Sequence, residues 1–296
     1  MYREFGSVLY CPPDATRLWR YMTLSRFLWL VKESKLYFSR LAEFTDDPYE
    51  GTLPKEATSQ IDDVRKLGYG LASPAAVSCW HQNYYESVAM WKLYVPGPEG
   101  VAIQTTVAKL KQLDEPSDFA IGEVRYLDYE KESQPNIGAT CPSLAPYAIV
   151  FQKRRSYEHE REVRVVIFNP ADDPCQTSVP PERLGAAGFG VPVRLGDLIE
   201  RIVVSPEFPP WAISPLQQIV RAAGLTSEIE RSDLLKPPNR EAAEALKALL
   251  ETMKARQGGL KCQSLARFFR RLGRFSLFLV AGLFILSRKS PSRGGS

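Results

Sequence analysis

Residues 161–168, with the sequence REVRVVIF, constrain the fold of this chain more than any other segment. Residues of this kind, rich in β-branched side chains, favour a strand that is buried on at least one face. Because side chains alternate along a strand, the apolar residues should face a core, namely Val163, Val165 and Ile167. The opposite face should carry the charged residues, namely Glu160, Glu162 and Arg164. The chain is therefore expected to contain a sheet with one apolar and one charged face at this strand.

Several other segments alternate between strand and helix patterns without a regular β-α-β rhythm. Strand-like runs occur at 18–22, 36–39, 75–80, 100–105, 124–129 and 201–205. Helix-like patterns occur at 24–31, 55–67, 85–94, 144–156 and 211–223. An irregular order of this kind favours an α+β fold, with a single mixed or antiparallel sheet and packed helices.

Composition and the positions of proline and glycine residues divide the chain into three parts. The chain has 296 residues, of which 44% are apolar and 24% charged, as in globular proteins. We expect an α+β domain over residues 1–236, a linker and charged helix over 237–259, and a basic and apolar tail over 260–296. The last two parts form a helical C-terminal extension that begins at Pro237 and Pro238.

The tail differs sharply from the body in charge. Residues 252–296 contain ten Lys or Arg residues and no Asp or Glu. The first 251 residues therefore contain 28 basic and 34 acidic residues, which gives this part of the chain a net charge of −6. The apolar run at 275–287 has 13 residues, whereas a membrane span needs about 20. Its basic flanks are compatible with a peripheral anchor on an anionic membrane surface through 265–289. The alternative is an extension that is disordered or packed on the body.

The five cysteines are scattered and form no CxxC pair, so a structural zinc site is not expected. The first 14 residues lack the apolar run of a secretory signal. The sequence therefore predicts a cytoplasmic protein with reduced thiols and no resident metal.

The spacing of Glu160 and Glu162 is the sharpest candidate for chemistry. Two carboxylates at i and i+2 on a strand lie roughly 6–7 Å apart on one face. Their repulsion should raise one pKa, which suits acid–base work or binding of a sugar hydroxyl. Arg164 on the same face should weaken this effect. The alternative is a solvated strand face with a Glu–Arg pair.

Acidic residues also gather at a turn. Asp46, Asp47 and Glu50 surround Pro48 and precede Gly51, a pattern typical of turns. Together with the two glutamates they could instead supply oxygen ligands for Mg²⁺.

The segment 77–94 adds further candidates. Cys79 and His81 share a face if they lie on a strand, which allows a nucleophile with its base or a buried thiol beside a hydrogen-bonded imidazole. The aromatic residues nearby, including Trp91, favour core packing or a wall for a nucleobase or nicotinamide ring. Neither a Rossmann fingerprint nor a P-loop occurs, and the body has no basic stripe for nucleic acid.

These motifs, in order, resemble a bacterial family of unknown function numbered 2971. The resemblance covers about residues 15–233 and lies in LWRYM at 18–22, LYFSRLAEFTDDPYEG at 36–51, VSCWHQNYYESVAMWKLY at 77–94, GVAIQT at 100–105, SYEHEREVRVVI at 156–167 and RIVVSPEFPPW at 201–211. Asp46 stands where the family usually has Asn. The family itself implies no activity.

The order of the motifs is similar, more distantly, to that of ADP-ribosyltransferase-like folds. This resemblance implies that Arg20 or Tyr21 holds NAD, that Ser78 is the serine of the middle strand motif, and that Glu162 is catalytic. Glu160 completes the Glu-x-Glu pair and Arg164 joins the cofactor-binding set. The middle motif departs from the usual Ser-Thr-Ser, because it is Ser-Cys-Trp here.

Three functions remain open from the sequence. The first is an NAD-consuming ADP-ribosyltransferase or glycohydrolase, with NAD as substrate and a protein or nucleic acid as target. The second is a non-enzymatic binding or sensing module, in stress or phage defence. The third is a Mg²⁺-dependent phosphoesterase or nuclease built on Asp46, Asp47, Glu50 and the glutamate pair.

Overall fold

The computed structural model describes residues 1–4, 9–44, 47–52, 75–115, 118–131, 145–168, 187–236, 244–249 and 251. The chain divides into two units, Met1–Leu235 and Lys236–Ser296. In the second unit, residues 244–249 are helical. The predicted basic and apolar tail, with its membrane anchor, lies outside the described residues, as does the predicted helix at 55–67. No helix within the described ranges is long and apolar enough to cross a membrane.

The first unit contains strands and helices in irregular order. Its strands are β1 (Arg17–Thr23), β2 (Lys35–Arg40), β3 (Ala75–Gln82), β4 (Gly100–Thr106), β5 (Phe119–Glu123), β6 (Arg125–Leu127), β7 (Gln152–Arg154), β8 (Glu162–Phe168), β9 (Gly188–Pro192), β10 (Arg201–Val204) and β11 (Ile229–Arg231). Its α-helices are α1 (Leu24–Glu33), α2 (Val88–Tyr94), α3 (Val107–Leu110), α4 (Ala145–Val150), α5 (Leu195–Leu198) and α6 (Pro210–Ala222). Two 3-10 helices span Leu41–Glu43 and Arg155–Glu160.

Nine of these strands form one sheet that is mainly antiparallel. The order along its main path is β11-β10-β4-β1-β3-β2-β9, while β8 pairs with β3 and β5 pairs with β8. The pair β10–β11 is parallel, and β6 and β7 form a separate parallel pair. The predicted α+β class with a mixed or antiparallel sheet is confirmed.

Strand β3 organises the centre of the sheet. Strand β8 pairs along one whole edge of β3, from Ala75↔Phe168 to His81↔Glu162. The other edge is shared, because β1 pairs near its end at Trp19↔His81 whereas β2 pairs near its start at Ser39↔Val77. Strands β1 and β2 therefore diverge beside the middle of β3, and we call this opening the β1–β2 split.

The two faces of the sheet bury different clusters. The main core includes Val163, Val165 and Ile167 from β8, each 0–1% exposed, packed with residues of α1 and α6. Two smaller apolar clusters occupy the other face, around Val166 and Phe151 and around Tyr21 and Trp91. The predicted alternation of β8 is confirmed for its apolar side.

Helix α1 illustrates how the local sequence builds this arrangement. Phe27, Leu30 and Val31 are buried on one side of the helix, whereas Leu24 and Leu28 are half-buried. Ser34 then takes a left-handed conformation, with φ 50°, which ends the helix and turns the chain directly into β2. The predicted strand–helix–strand unit is confirmed.

One predicted element is wrong in its second half. The helix expected over 144–156 ends at Val150, and residues Gln152–Arg154 form β7 instead. These residues pair in register with β6, from Arg125↔Gln152 to Leu127↔Arg154. Tertiary pairing therefore overrides the local helical pattern, and it moves Lys153 into a buried position.

Candidate functional site

The glutamate pair meets at one lysine, although not on an extended strand. Glu160 ends a 3-10 helix, and Arg161 has a left-handed conformation, with φ 42° and ψ 55°, before β8 begins at Glu162. The prediction that both glutamates lie on one strand is therefore wrong. The turn at Arg161 nevertheless leaves both carboxylates against Lys153, whose Nζ lies 2.5 Å from Glu160 Oε2 and 3.4 Å from Glu162 Oε2.

Arg164 holds the second half of the same network. Its Nε donates to Glu162 Oε1 at 2.9 Å and its Nη2 to Glu162 Oε2 at 3.1 Å. Its Nη1 donates to Glu50 Oε1 and to the carbonyl oxygen of Val150, both at 2.6 Å. Glu50 Oε2 also lies 3.9 Å from Lys153 Nζ. We call this group the buried charge cluster, which consists of Glu50, Lys153, Glu160, Glu162 and Arg164.

Every member of the buried charge cluster is at most 9% exposed, so the alternative of a solvated strand face is wrong about solvation, whereas the Glu–Arg pair that it included is present. Its three carboxylates exceed its two cations by one negative charge. Buried ions are tolerated only when they are paired and hydrogen-bonded, as these are. The cluster therefore holds a net anion in a site of restricted water access.

The electrostatics keep Glu162 ionised. Burial by itself raises the pKa of the Glu162 carboxyl, but Arg164 and Lys153 outweigh this effect and lower it to about 2. The expectation that repulsion would raise one pKa is thus wrong for Glu162. Burial lowers the pKa of Arg164, yet Glu162 and Glu50 raise it well above its ordinary value overall.

The acidic turn serves this network rather than forming an open set of oxygen ligands. Glu50 is paired with Arg164, and Asp47 Oδ1 accepts from Nε of Arg154 at 2.9 Å. Asp46 lies outside the described residues. Within the ranges that the structure describes, no three His, Cys, Asp or Glu side chains are grouped as metal ligands.

His81 and Cys79 do not form a thiolate–imidazole pair. The short contact between His81 Nδ1 and Glu160 O, 2.6 Å, assigns the proton to Nδ1. Nε2 then accepts from Asn83 Nδ2 at 3.4 Å. Burial lowers the pKa of His81, and burial together with the nearby Glu162 raises that of Cys79 well above its ordinary value. Both groups are therefore neutral at pH 7.

Aromatic residues cover the cluster on the β1 side. The Tyr21 ring meets Trp91 edge-on at 4.9 Å and His81 at 6.3 Å between ring centroids. Trp91 is 5% exposed, so it packs beneath this region. Tyr94 is 40% exposed and donates its hydroxyl to Glu160 Oε1 at 3.1 Å. Tyr94 thus contacts the buried charge cluster through its hydroxyl and is partly exposed to solvent.

Arg20 and Ser78 lie on the other face of the sheet. Ser78 is opposite Val165, whereas Glu162 is opposite His81, and these two pairs point to opposite sides. Arg20 donates to Ser78 Oγ at 2.7 Å and to the carbonyl oxygen of Tyr37 at 3.0 Å. Its guanidinium therefore bridges the β1–β2 split. Burial lowers its pKa to about 10, so it remains charged at neutral pH.

The predicted site residues thus fall into two groups. One face brings together Glu50, Glu160, Glu162, Arg164, His81, Tyr21 and Trp91. Asp47 joins this side through Arg154, which neighbours Lys153 in β7. Arg20 and Ser78 meet each other but not this group.

The model of the family "Protein of unknown function (DUF2971)" matches residues 90–165. This segment runs from α2 into β8 and includes Tyr94, Lys153, Glu160, Glu162 and Arg164. The predicted resemblance is confirmed over this part of the chain. None of the curated proteins matches the chain.

Solved structures of DarT from Thermus sp. 2.9 match at low similarity. The complex with ADP-ribosylated ssDNA has 10% identity and a TM-score of 0.36, and covers 76% of this chain and 97% of that chain. The complex with NAD+ has 10% identity and a TM-score of 0.34, and covers 74% and 96%. The complex with carba-NAD+ has 9% identity and a TM-score of 0.34, and covers 74% of this chain and 96% of that chain.

Sequence reasoning missed two members of the site. Lys153 carries no motif, and its burial follows from the pairing of β7 with β6. The sequence pattern groups Tyr94 with the aromatic core, although its hydroxyl reaches Glu160. A helix pattern that places Tyr94 one turn beyond Met90 does not distinguish a core ring from one at the rim.

We expect Glu162→Gln to destabilise the protein by about 3–5 kcal/mol, because it leaves part of the Arg164 charge buried without its anion. The matched control is Glu158→Gln, on the 3-10 helix before β8, where Glu158 is exposed. This control should change the free energy of unfolding by less than about 0.5 kcal/mol. Urea unfolding of both variants measures the difference, and equal stabilities would contradict the described network.

The lowered pKa of Glu162 predicts that the free energy of unfolding decreases in acid. The pKa of Glu162 is about 2 in the folded protein and 4.5 ordinarily, so between pH 2 and pH 4.5 the unfolded chain binds more protons than the folded protein. The stabilisation is complete above pH 4.5 and is lost as pH falls towards 2. Between pH 5 and pH 3 the wild type should lose roughly 2 kcal/mol more than Glu162→Gln. Parallel pH series of urea unfolding test this, and identical slopes would refute it.

Proposed function

We propose that this chain consumes NAD as an ADP-ribosyltransferase or glycohydrolase in which Glu162 is the catalytic carboxylate. The observation that carries the proposal is a buried glutamate, 5% exposed, whose carboxylate contacts two cations, Arg164 and Lys153. When nicotinamide leaves NAD, positive charge develops on the ribose. A fixed anion in a site with little water stabilises such charge far more strongly than it would in bulk solvent.

The contacts of Glu162 suit this role. Arg164 binds both carboxylate oxygens and Lys153 binds one of them, so the carboxylate cannot rotate freely. Each oxygen has two lone pairs, and Oε2 uses both on Arg164 and Lys153, so the second lone pair of Oε1 is the one that accepts a hydrogen bond from a ribose hydroxyl in this proposal. In this proposal Glu162 binds that hydroxyl and faces the developing charge.

Glu160 has a different position and a different proposed role. Its Oε1 accepts from Tyr94, a partly exposed residue, while its Oε2 faces Lys153. It is therefore the carboxylate of the pair with a hydrogen-bonded link to the surface. We assign to it the orientation of the attacking group, either water or an acceptor on the target.

Arg20 and Ser78 take a supporting part in the proposal. They lie on the opposite face from Glu162, and their hydrogen bonds join β1, β2 and β3. This placement favours a role in fixing the β1–β2 split over direct contact with the reacting ribose. Tyr21, the next residue of β1, lies on the Glu162 side near His81.

A non-enzymatic binding module is the second candidate, and the closed ion pairing of the cluster favours it. Each carboxylate of the cluster has a cation within 4.0 Å, and structural ion-pair networks have this form. The same pairing gives no support to a Mg²⁺-dependent phosphoesterase, since Glu50 and Asp47 are engaged by Arg164 and Arg154.

The full chain should be stabilised by NAD and should release nicotinamide. NAD at a concentration of 100 times its Kd raises the free energy of unfolding by about 2.7 kcal/mol, which a thermal shift detects. Glu162→Gln should lower the rate of nicotinamide release by about 10²–10³-fold, because it removes a charge that acts on the transition state. Glu158→Gln should keep wild-type release.

Because Glu162→Gln also lowers the stability of the protein, nicotinamide release is measured below the melting temperature of each variant. The thermal shift by NAD is measured for each variant against the same variant without NAD. A cooperatively melting wild type that shows neither an NAD shift nor nicotinamide release would refute the transferase and leave the binding module. A stabilisation by Mg²⁺ that disappears in Asp47→Asn would instead favour the phosphoesterase.

A further inference from the structure

Strand β5 separates from β8 just before Glu162. The last register pair between these two strands is Glu123↔Val163. One further bond joins Val124 N to the carbonyl oxygen of Glu162, at 2.8 Å, and the chain then enters β6, which pairs with β7 instead. In an antiparallel ladder, the N–H and the C=O of one residue point to the same neighbouring strand. The N–H of Glu162 therefore points to the side on which β5 leaves the sheet.

The side chain of Tyr126 supplies the acceptor for this N–H. Glu162 N donates to Tyr126 Oη at 2.8 Å. Burial raises the pKa of Tyr126 above its ordinary value, so the phenol is neutral at pH 7 and adds no charge beside the carboxylate. Glu162 is 5% exposed, so water has little access to replace this acceptor. The hydroxyl of Tyr126 thus completes the hydrogen bonding of the Glu162 backbone on this side.

Lys153 lies opposite Tyr126 in the pair of strands β6 and β7. Residues that are paired across two strands have their side chains on the same face of that pair. Lys153 Nζ lies 3.4 Å from Glu162 Oε2, whereas Tyr126 binds the Glu162 backbone. One cross-strand pair therefore holds Glu162 at two points, namely the carboxylate and the backbone amide.

The position of Glu162 depends on these bonds because the residue before it interrupts the strand. Arg161 is left-handed, with φ 42°, and β8 begins only at Glu162. The bonds to Tyr126 and from Val124 fix this first residue of the strand along one edge. They therefore fix the Cα atom from which the carboxylate extends. A misplacement of about 1 Å in an active site can slow a reaction by about 100-fold.

We propose that Tyr126 is a positioning residue that holds Glu162 in place for the NAD reaction. It acts through the backbone of Glu162 and not through contact with the substrate. This inference rests on the proposed function, because that function assigns the reaction to Glu162. Loss of the hydroxyl leaves the Glu162 N–H without its acceptor and lets the start of β8 shift. The chemical step then slows, although no contact with the substrate is removed.

The test compares two conservative variants of the full chain. Tyr126→Phe removes the hydroxyl that binds Glu162 N and keeps the ring. The matched control is Tyr129→Phe, which removes the same atom from a buried tyrosine three residues later, 4% exposed. The hydroxyl of Tyr129 has no hydrogen-bond partner among the residues that the structure describes. Only Tyr126→Phe should therefore alter Glu162.

Hydrogen exchange of the Glu162 amide, followed by NMR, measures the bond itself. Its exchange should be about fivefold faster or more in Tyr126→Phe, which is the factor that corresponds to the loss of one hydrogen bond. The amide of Val163, in the ladder between β3 and β8, should keep its rate and so exclude a general loss of stability. Tyr129→Phe should leave both rates unchanged. Unchanged exchange at Glu162 in Tyr126→Phe would overturn the proposal.

The kinetics of nicotinamide release, measured below the melting temperature, separate positioning from a merely structural role. Tyr126→Phe should lower kcat by about 10–100-fold and change KM by less than about threefold, because the substrate keeps its contacts. A residue that only stabilises the fold would leave both constants unchanged at that temperature. Wild-type kcat in Tyr126→Phe, or an equal loss in Tyr129→Phe, would overturn the positioning role.

This inference and the proposed function fail in different ways. A wild type that neither releases nicotinamide nor is stabilised by NAD refutes the proposed function, and the positioning role is refuted with it. A wild type that releases nicotinamide, beside a Tyr126→Phe variant with the same kcat, refutes the positioning role alone. The lowered kcat together with faster exchange at Glu162 supports both.

Discussion

The bidentate ion pair between Glu162 and Arg164 is the interaction on which the rest of this site depends. It lies on the face of β8 opposite Val163 and Val165, at Nε–Oε1 2.9 Å and Nη2–Oε2 3.1 Å. Two charges can occupy such a position only if their remaining hydrogen-bonding capacity is also met. Glu50, Lys153 and the carbonyl oxygen of Val150 meet much of it, so one pair recruits groups from distant parts of the chain.

That recruitment ties the local elements together. Glu50 comes from the turn after Asp47, Lys153 from β7, and Glu160 from the 3-10 helix, and Tyr94 adds α2. Each segment is short and has a weak preference for its own conformation. The buried charge cluster therefore positions the glutamates for chemistry and also holds these segments against the sheet. A change within it affects stability and function together, which is why exposed control residues are needed.

Much of the sheet could be predicted from the sequence, because periodicity reports which side of an extended strand is buried. Val163, Val165 and Ile167 follow this rule, and so does the apolar stripe of α1. The sequence also indicates the glutamate pair, but not its geometry. The alternation rule assumes an extended backbone, whereas Arg161 is left-handed. The burial of Lys153 and the separation of Arg20 from Glu162 depend on strand pairing, which spacing along the chain does not reveal.

A double-mutant cycle between Glu162 and Arg164 tests most directly whether this ion pair holds the site together. It requires the free energies of unfolding of the wild type, Glu162→Gln, Arg164→Gln and the double variant. Residues in one buried network show coupling energies of about 0.5–3 kcal/mol, and this bidentate pair should lie towards the upper end. A favourable coupling of about 2 kcal/mol or more is the predicted result. A coupling near zero would show that the two side chains act independently, and it would contradict the central role of this ion pair in the buried charge cluster.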